Sequence, residues 1–216
     1  MILSLTVQGK TIPLNGSSYL LTVDGVTEDD YLALSSEDIR VEFVWGRLFI
    51  HSPASTIHER IFGFLFSLAR EYCLLQQLGE VFGSRLSVKL GEELRLEPDL
   101  LFITEDDREA LSPTLFAGTP RWVVEILSPS TRSYDLGQKL QIYKQFGVGE
   151  IWLIDPYQQW LRQLVAKKDR YDDNIIKEGR VFSVILKDFW IELNWLWEEP
   201  SPPITRCLGT IRKASN

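Results

Sequence analysis

Apolar residues follow two different spacings along the chain, and these spacings predict a succession of strands and helices. Residues 121–127 form an apolar run without alternation, interrupted by one carboxylate, which is typical of a strand buried on both faces. Similar short runs occupy residues 99–103 and 150–155. Between 121–127 and 150–155, helical spacing predicts a helix near 134–146. We therefore expect a βαβ unit with parallel strands and a right-handed crossover.

The other segments are predicted from turn residues and shorter periodic runs. Ser55 begins a long amphipathic helix that extends to about Gln77, and Thr56 with Glu59 matches a capping box. The remaining predicted elements are a strand and turn over 1–15, a short helix over 26–34, a hairpin over 41–50, a strand over 81–90, antiparallel strands over 160–166, 180–186 and 189–197, and a polar turn around 172–174.

Composition sets limits on the class of protein. The chain has 216 residues, 44% of them hydrophobic, which suits one domain with additions. A net charge of -7 argues against strong nonspecific adhesion to nucleic acid, although it permits a local basic cleft. We expect a cytoplasmic protein, since we find neither a secretory signal nor a run long enough to span a membrane. Cys73 and Cys207 lack CxxC spacing, which indicates reduced thiols without a disulfide or zinc site.

Two carboxylates stand in or beside the predicted strands. Glu125 lies in the middle of its apolar strand, where it must be neutral, paired with a cation or bound to a metal. Asp99 opens the preceding strand, and two adjacent strands can bring both acids to one point. Helical spacing puts Asp135, Lys139 and Tyr143 on one face of the following helix. Lys139 is therefore a candidate for the missing cation.

Each of these residues also has a purely structural interpretation, which the sequence leaves open. Glu125 would pair with Arg121 or Lys139 as a buried ion pair. Lys139 would pair with Asp135, four residues earlier on the helix. Asp99 would be a turn residue after a proline.

Four motifs carry a resemblance to a known family. They are Glu97-Pro98-Asp99, the segment 123–131 (VVEILSPST), Asp135 with Lys139 and Tyr143, and the segment 147–156 (GVGEIWLIDP). In order and spacing they resemble the Uma family of bacterial proteins, which belongs to the PD-(D/E)xK restriction-endonuclease-like superfamily. The resemblance covers residues 25 to 200, roughly, and implies an α/β fold with a mixed central sheet flanked by helices. It divides the chain into an N-terminal extension (1–24), a restriction-endonuclease-like domain (25–199) with a C-terminal antiparallel extension, and a proline-marked tail (200–216) that we expect to be disordered.

The resemblance implies metal-assisted hydrolysis of DNA phosphodiester bonds. Asp99, Glu125 and the backbone carbonyl of Ile126 would hold one or two Mg²⁺ ions, with Mn²⁺ as a substitute. The superfamily usually carries a lysine two residues after the strand glutamate, a position that Leu127 occupies here. The helical Lys139 would take over that role and act on the attacking water or on the phosphate.

Two further residues are weaker candidates that the resemblance suggests. Glu42 in the hairpin would be an additional metal ligand, directly or through water, and His58 at the start of the long helix would contact phosphate. Cross-strand pairing for Glu42 and helix-terminus polarity for His58 are the structural alternatives.

Other functions stay open at this level. One alternative is a noncatalytic module of the same fold that binds nucleic acid or a protein partner. Another is a hydrolase that uses two acids without metal, as on a glycoside. Because cutting both strands of a duplex usually takes two active sites, we expect a homodimer.

Overall fold

The computed structural model describes residues 3–7, 10–14, 18–35, 39–83 and 86–214. Its strands are β1 (Leu3–Val7), β2 (Lys10–Leu14), β3 (Leu20–Asp24), β4 (Val41–Val44), β5 (Arg47–His51), β6 (Glu80–Gly83), β7 (Ser87–Gly91), β8 (Leu94–Leu96), β9 (Leu100–Ile103), β10 (Leu115–Phe116), β11 (Trp122–Ile126), β12 (Glu150–Asp155), β13 (Trp160–Ala166), β14 (Tyr171–Ile176), β15 (Arg180–Phe182) and β16 (Trp190–Glu192). Its helices are α1 (Glu28–Leu34), α2 (Thr56–Gln76), α3 (Arg132–Tyr134), α4 (Leu140–Gln145) and α5 (Ile204–Ala214). A π-helical turn (Asp135–Lys139) joins α3 to α4, and short 3-10 helices occupy Glu105–Ala110 and Leu193–Leu196.

The central sheet is mixed and has the strand order β14-β13-β12-β11-β9-β6. β11 and β12 pair in parallel, and the other pairs of this sheet are antiparallel. The parallel pairing confirms the predicted βαβ unit. Every residue of β11 and β12 is buried, as expected for central strands covered on both faces.

A second six-stranded sheet packs against one face of the central sheet, with the order β10-β7-β8-β4-β5-β3. The predicted hairpin is confirmed as β4 and β5, joined by Trp45 and Gly46 with φ of 46° and 81°. Two positive φ values in a two-residue turn match the twist of a hairpin. Alternation along β11 divides the core: Trp122 and Val124 face helices α2 and α5, whereas Val123 faces the second sheet and α4.

The long helix α2 covers the other face of the central sheet. Its buried stripe is formed by Ile61, Phe64, Leu65, Leu68 and Tyr72. The predicted capping box at Thr56 is wrong, because the N-cap is Ser55, whose hydroxyl accepts a hydrogen bond from the His58 N–H at 3.3 Å. Gln77 ends the helix in the left-handed conformation, with φ of 54°.

The tail contains an ordered helix, so the prediction of disorder is wrong for α5. Cys207 and Ile211 are completely buried and belong to the same core cluster as the α2 stripe. Apolar residues at 204, 207, 208 and 211 have the spacing of an amphipathic helix. The preceding prolines mark a loop and not the end of the folded chain.

Two strand predictions also need correction. Residues 81–90 do not form one strand, because β6 belongs to the central sheet and β7 to the second sheet; residues 84–85 between them lie outside the described residues. The apolar residues at 81–82 and at 86, 88 and 90 are close enough in the sequence to be taken for one strand. The polar residues 172–174 form part of β14 and not a turn, since an edge strand with exposed side chains tolerates acids.

The other short elements match the prediction in part: β15 and β16 are shorter than the predicted strands 180–186 and 189–197, and residues 193–196 form a 3-10 helix. β1 and β2 form an antiparallel pair, β15 and β16 form another, and α1 begins at a Thr27 capping box. Over the ranges that the structure describes, no helix combines the length and apolar character needed to cross a membrane.

Candidate active site

Strand geometry brings Asp99 and Glu125 side by side. β11 runs antiparallel to β9 with Val124 opposite Leu100, so one further step of this register sets Glu125 opposite Asp99. The neighbouring odd-numbered residues of both strands pack in the cluster shared with the second sheet. Because side chains alternate along a strand, both acids project from the same face of the central sheet.

Asp99 is held by three donors. Its Oδ1 lies 2.8 Å from Nη1 of Arg40, and its Oδ2 accepts the backbone N–H of Ile126 at 2.7 Å and lies 3.2 Å from Nε2 of His58. Burial raises the pKa of Asp99, but the charges of Arg40 and His58 outweigh it and hold the pKa well below its ordinary value. Burial lowers the pKa of His58, and the Asp99 charge reverses this shift to a raised value.

The Lys139 ammonium forms ion pairs with two buried glutamates. Its Nζ lies 2.7 Å from Oε1 of Glu42 and 2.7 Å from Oε1 of Glu125, and its side chain is fully buried. Burial lowers the pKa of Lys139, but the two acids outweigh this effect and raise it. The Tyr143 hydroxyl also donates to Glu125 at 2.6 Å, and the Glu97 N–H donates to Glu42 at 2.8 Å.

One ammonium cannot neutralise two carboxylates, and the pKa values of Glu42 and Glu125 shift in opposite directions. Burial raises the pKa of Glu42, but Lys139 and His51, whose Nε2 lies 3.4 Å away, bring it below its ordinary value. Burial raises the pKa of Glu125 to about 8; Lys139 opposes the shift and the Asp99 charge adds to it. Glu125 therefore takes up a proton more readily than an exposed glutamate does.

The π-helical turn presents two buried charged residues to the site. Asp135 and Lys139 begin and end this turn and are 4% and 0% exposed. Burial raises the pKa of Asp135 to about 6, against the opposing charge of Lys139. A π-helical turn has one residue more than an α-helical turn. Such turns are rare, and they are often found at functional sites. Sequence spacing alone gives an ordinary α-helix here.

Asp99, Glu125 and Asp135 line a pocket of about 420 Å³ between the central sheet, the start of α2 and the turn after β12. Its floor is formed by the buried residues His51, His58, Asp99, Glu125, Ile126 and Asp135 and by Arg40, whose side chain is 20% exposed. Lys139 and Glu42 are not part of the lining and lie behind Glu125. The structure thus brings all five predicted site residues together, with three of them at the pocket surface.

A family model described as "Putative restriction endonuclease" matches residues 28–194, most of the chain. The chain belongs to the Uma2 family. A solved structure titled as a "putative nuclease belonging to DUF820" from Anabaena variabilis ATCC 29413 is similar, with a TM-score of 0.69 and 17% identity, over 80% of this chain and 97% of that chain. At this identity the likeness concerns the fold, which is restriction-endonuclease-like. No curated protein matches the sequence.

The donor set in this Uma2 member fits a hard divalent cation. Asp99 and Glu125 offer carboxylate oxygens in one pocket, and Mg²⁺ typically takes one or two carboxylates while keeping water and substrate oxygens as its other ligands. The lining acids and Glu42 outnumber the permanent cations Arg40 and Lys139 four to two. Within the described ranges, no group of three or more His, Cys, Asp or Glu side chains has the arrangement of a metal site.

The ion pairs decide between the structural interpretations. Arg121 binds Asp107 at 2.8 Å and not Glu125. Within the described residues, the carboxylates that lie within 4 Å of the Lys139 ammonium are those of Glu42 and Glu125, and Asp135 is not among them. The ammonium also donates to the Glu97 carbonyl oxygen at 3.4 Å. Glu125 is thus a buried ion-pair partner of Lys139, and it is also a pocket residue.

Three residues of the Uma2 site were missed by sequence reasoning. Arg40 precedes β4 and carries no periodic signal, although it binds Asp99 and the Glu97 carbonyl at 2.6 Å. His51 ends β5 beside Glu42. For Asp135, helical spacing predicts only a position on the same helix face as Lys139. The one sequence signal for Arg40 is indirect: a buried carboxylate such as Asp99 needs a cationic partner.

Proposed function

We propose that this protein is a Mg²⁺-dependent endonuclease that hydrolyses DNA phosphodiester bonds. The observation that carries the proposal is the pair Asp99 and Glu125, which come from adjacent strands and line one pocket with Arg40. Membership of the Uma2 family supports the same reaction class. Two carboxylates beside a fixed guanidinium suit a phosphodiester and a bound cation together.

Asp99, Glu125 and the carbonyl of Ile126 would hold the cation, with Mn²⁺ as a substitute for Mg²⁺. When bound, the ion supplies Lewis-acid polarisation of a phosphoryl oxygen and a water of lowered pKa. The Ile126 N–H already fixes the Asp99 carboxylate at 2.7 Å, so this ligand is oriented before the cation arrives.

The other charged residues divide into two roles. Arg40 lines the pocket and offers a permanent positive charge to the phosphate. Lys139 and Glu42 lie behind Glu125, so we assign them as positioning residues that fix the Glu125 carboxylate. His58 holds Asp99 from the opposite side through Nε2. This assignment gives Lys139 an indirect role in place of direct contact with the attacking water.

The enclosed position of Lys139 also favours a second candidate function. An amine that is 0% exposed does not reach a phosphate in the pocket. The alternative is a noncatalytic module of the same fold that binds nucleic acid or a protein partner through this pocket. Metal binding separates the two candidates, because the alternative has no need of a cation.

Calorimetric titration with Mn²⁺ and then Mg²⁺ tests the proposal. The wild-type protein should bind the ion, and Glu125→Gln should bind it at least about tenfold more weakly. Glu105→Gln should match wild type, because Glu105 pairs with Arg108 on an exposed helix away from the pocket lining. Cleavage of DNA should require the ion and be lost in Glu125→Gln. Equal binding by wild type and Glu125→Gln, or none by wild type, would leave the noncatalytic module.

We further propose a homodimer, since two copies would supply one site for each strand of a duplex. Light scattering should give twice the monomer mass of 24.9 kDa; a monomer at micromolar concentration would contradict this. The cytoplasmic location stays a prediction, to be checked by fractionation of the native host.

A further inference from the structure

The rim of the pocket differs in chemistry from its floor. The floor holds buried acids and Arg40, whereas the exposed rim consists of four apolar or aromatic residues, Pro53, Ala54, Pro129 and Tyr157, and two serines, Ser18 and Ser55. Tyr157 is 54% exposed, so much of its ring is accessible at the pocket rim. A largely apolar rim above a charged floor suits a ligand with one charged end and one flat apolar end.

The Tyr157 backbone is fixed, so the rim has a defined shape. The N–H groups of Tyr157 and Gln158 both donate to Oδ1 of Asp155, each at 2.9 Å. The Asp155 carboxylate is in turn paired with Arg132, whose guanidinium lies 5.4 Å from the centre of the Trp160 ring. A ring carried on a fixed turn loses little conformational freedom when a ligand stacks on it.

Charge around the pocket disfavours binding through phosphates alone. Of the described residues that line it, Arg40 is the only arginine or lysine, and three are carboxylic acids. The whole chain carries a net charge of -7. Affinity for duplex DNA comes mainly from several cations that contact backbone phosphates. Single-stranded nucleic acid can instead gain affinity from stacking of its unpaired bases on aromatic side chains.

We propose that the pocket takes an unpaired nucleotide, with its base stacked on Tyr157 between the rim prolines and its phosphate turned toward Arg40 on the floor. This inference rests on the nuclease function proposed above and names its substrate class as single-stranded or frayed DNA in preference to an intact duplex. The pocket volume of about 420 Å³ lies in the range of sites that enclose a small organic ligand.

Fluorescence anisotropy with a labelled oligo(dT) and with a blunt duplex of equal length tests the inference, in buffer with Ca²⁺ in place of Mg²⁺. The wild-type protein should bind the single strand at least about tenfold more tightly than the duplex. Tyr157→Ala should lose about tenfold or more in affinity for the single strand, the loss expected for one stacked base, and Tyr157→Phe should keep it. Trp45→Ala is the matched control, since Trp45 is 49% exposed at the far end of the β4–β5 hairpin.

The outcomes separate the two proposals. If Tyr157→Ala binds oligo(dT) as wild type does, or if wild type prefers the duplex, the pocket does not take an unpaired base and the nuclease proposal stands. If wild type binds neither DNA and cleaves neither with Mg²⁺, both proposals fall. Loss of single-strand binding in Tyr157→Ala with retention in Tyr157→Phe and Trp45→Ala supports the stacked base.

Discussion

Replacing Lys139 by methionine removes the cation on which two buried acids depend. The lysine ammonium lies 2.7 Å from both Glu42 and Glu125, and all three side chains are at most 2% exposed. Methionine keeps much of the volume and the unbranched shape, so the change isolates the charge. The two carboxylates then face each other across a dry space without a compensating cation.

The expected loss of unfolding free energy is large. Breaking a buried ion pair by removing one partner typically costs about 3–5 kcal/mol, because the remaining charge stays desolvated. A domain of this kind is stable by about 5–15 kcal/mol, so the variant should fold with a strongly reduced margin. Lys144→Met is the matched control on the same helix: Lys144 makes a cation–π contact with Tyr171 at 5.6 Å, and its loss should cost about 1 kcal/mol or less.

The destabilisation should grow as the pH rises. Burial raises the pKa of Glu125 to about 8 even with Lys139 in place, and without the lysine the pKa of Glu42 rises as well. A carboxyl whose pKa is higher in the folded than in the unfolded state stabilises the fold at low pH and loses that contribution as the pH rises through the folded pKa. The difference between Lys139→Met and wild type should thus increase between pH 5 and 8, by up to about 1.4 kcal/mol per pH unit for one extra proton.

Urea unfolding followed by tryptophan fluorescence measures both effects, since the chain contains 7 tryptophans. Curves for wild type, Lys139→Met and Lys144→Met at pH 5 and pH 8 give the required differences. The reasoning is refuted if Lys139→Met is no less stable than Lys144→Met, or if its stability relative to wild type does not depend on pH.

Two further predictions concern groups outside the pocket. Glu150→Gln should lower the free energy of unfolding by about 3 kcal/mol, because the buried carboxylate accepts five hydrogen bonds, including 2.6 Å bonds from Gln163 and Ser183. Urea unfolding should show a loss of less than about 1 kcal/mol for the control Glu192→Gln, because Glu192 is a partly exposed partner of Arg180. Equal losses for the two variants would contradict the prediction. Burial raises the pKa of Cys73 to about 12, so Ellman's reagent at pH 8 should label it only after denaturation; labelling of Cys73 in the native protein within minutes would speak against it.

The sequence predicted the part of the site that rests on strand alternation. Asp99 and Glu125 occupy single acidic positions in or beside apolar strands, and sheet geometry then puts both acids on one face. Helical spacing also directs Lys139 toward the core, although the observed turn is π-helical. Periodic patterns within a strand or a helix predict which side chains share a face. Asp99, Glu125 and Lys139 are therefore predictable from the sequence.

The parts that sequence reasoning missed depend on contacts between distant segments. Arg40 reaches Asp99 across 59 positions of the chain, and no local pattern reports such a pair. The change of sheet between β6 and β7 has no sequence signal of its own, because the apolar residues on either side of it are only a few positions apart. The prolines before α5 led to the prediction of a disordered tail. The buried positions of this helix, such as Cys207 and Ile211, nevertheless have helical spacing.

A crystal soaked with Mn²⁺ tests the central claim most directly, since the ion is located by its anomalous scattering. We expect a peak in the pocket roughly 2.0–2.2 Å from carboxylate oxygens of Asp99 and Glu125 and from the Ile126 carbonyl, a distance typical of small hard divalent ions. The Lys139 ammonium should stay within hydrogen-bond distance of Glu125. A fully soaked crystal with no peak in this pocket, or with a peak bound only by residues outside it, would contradict the account.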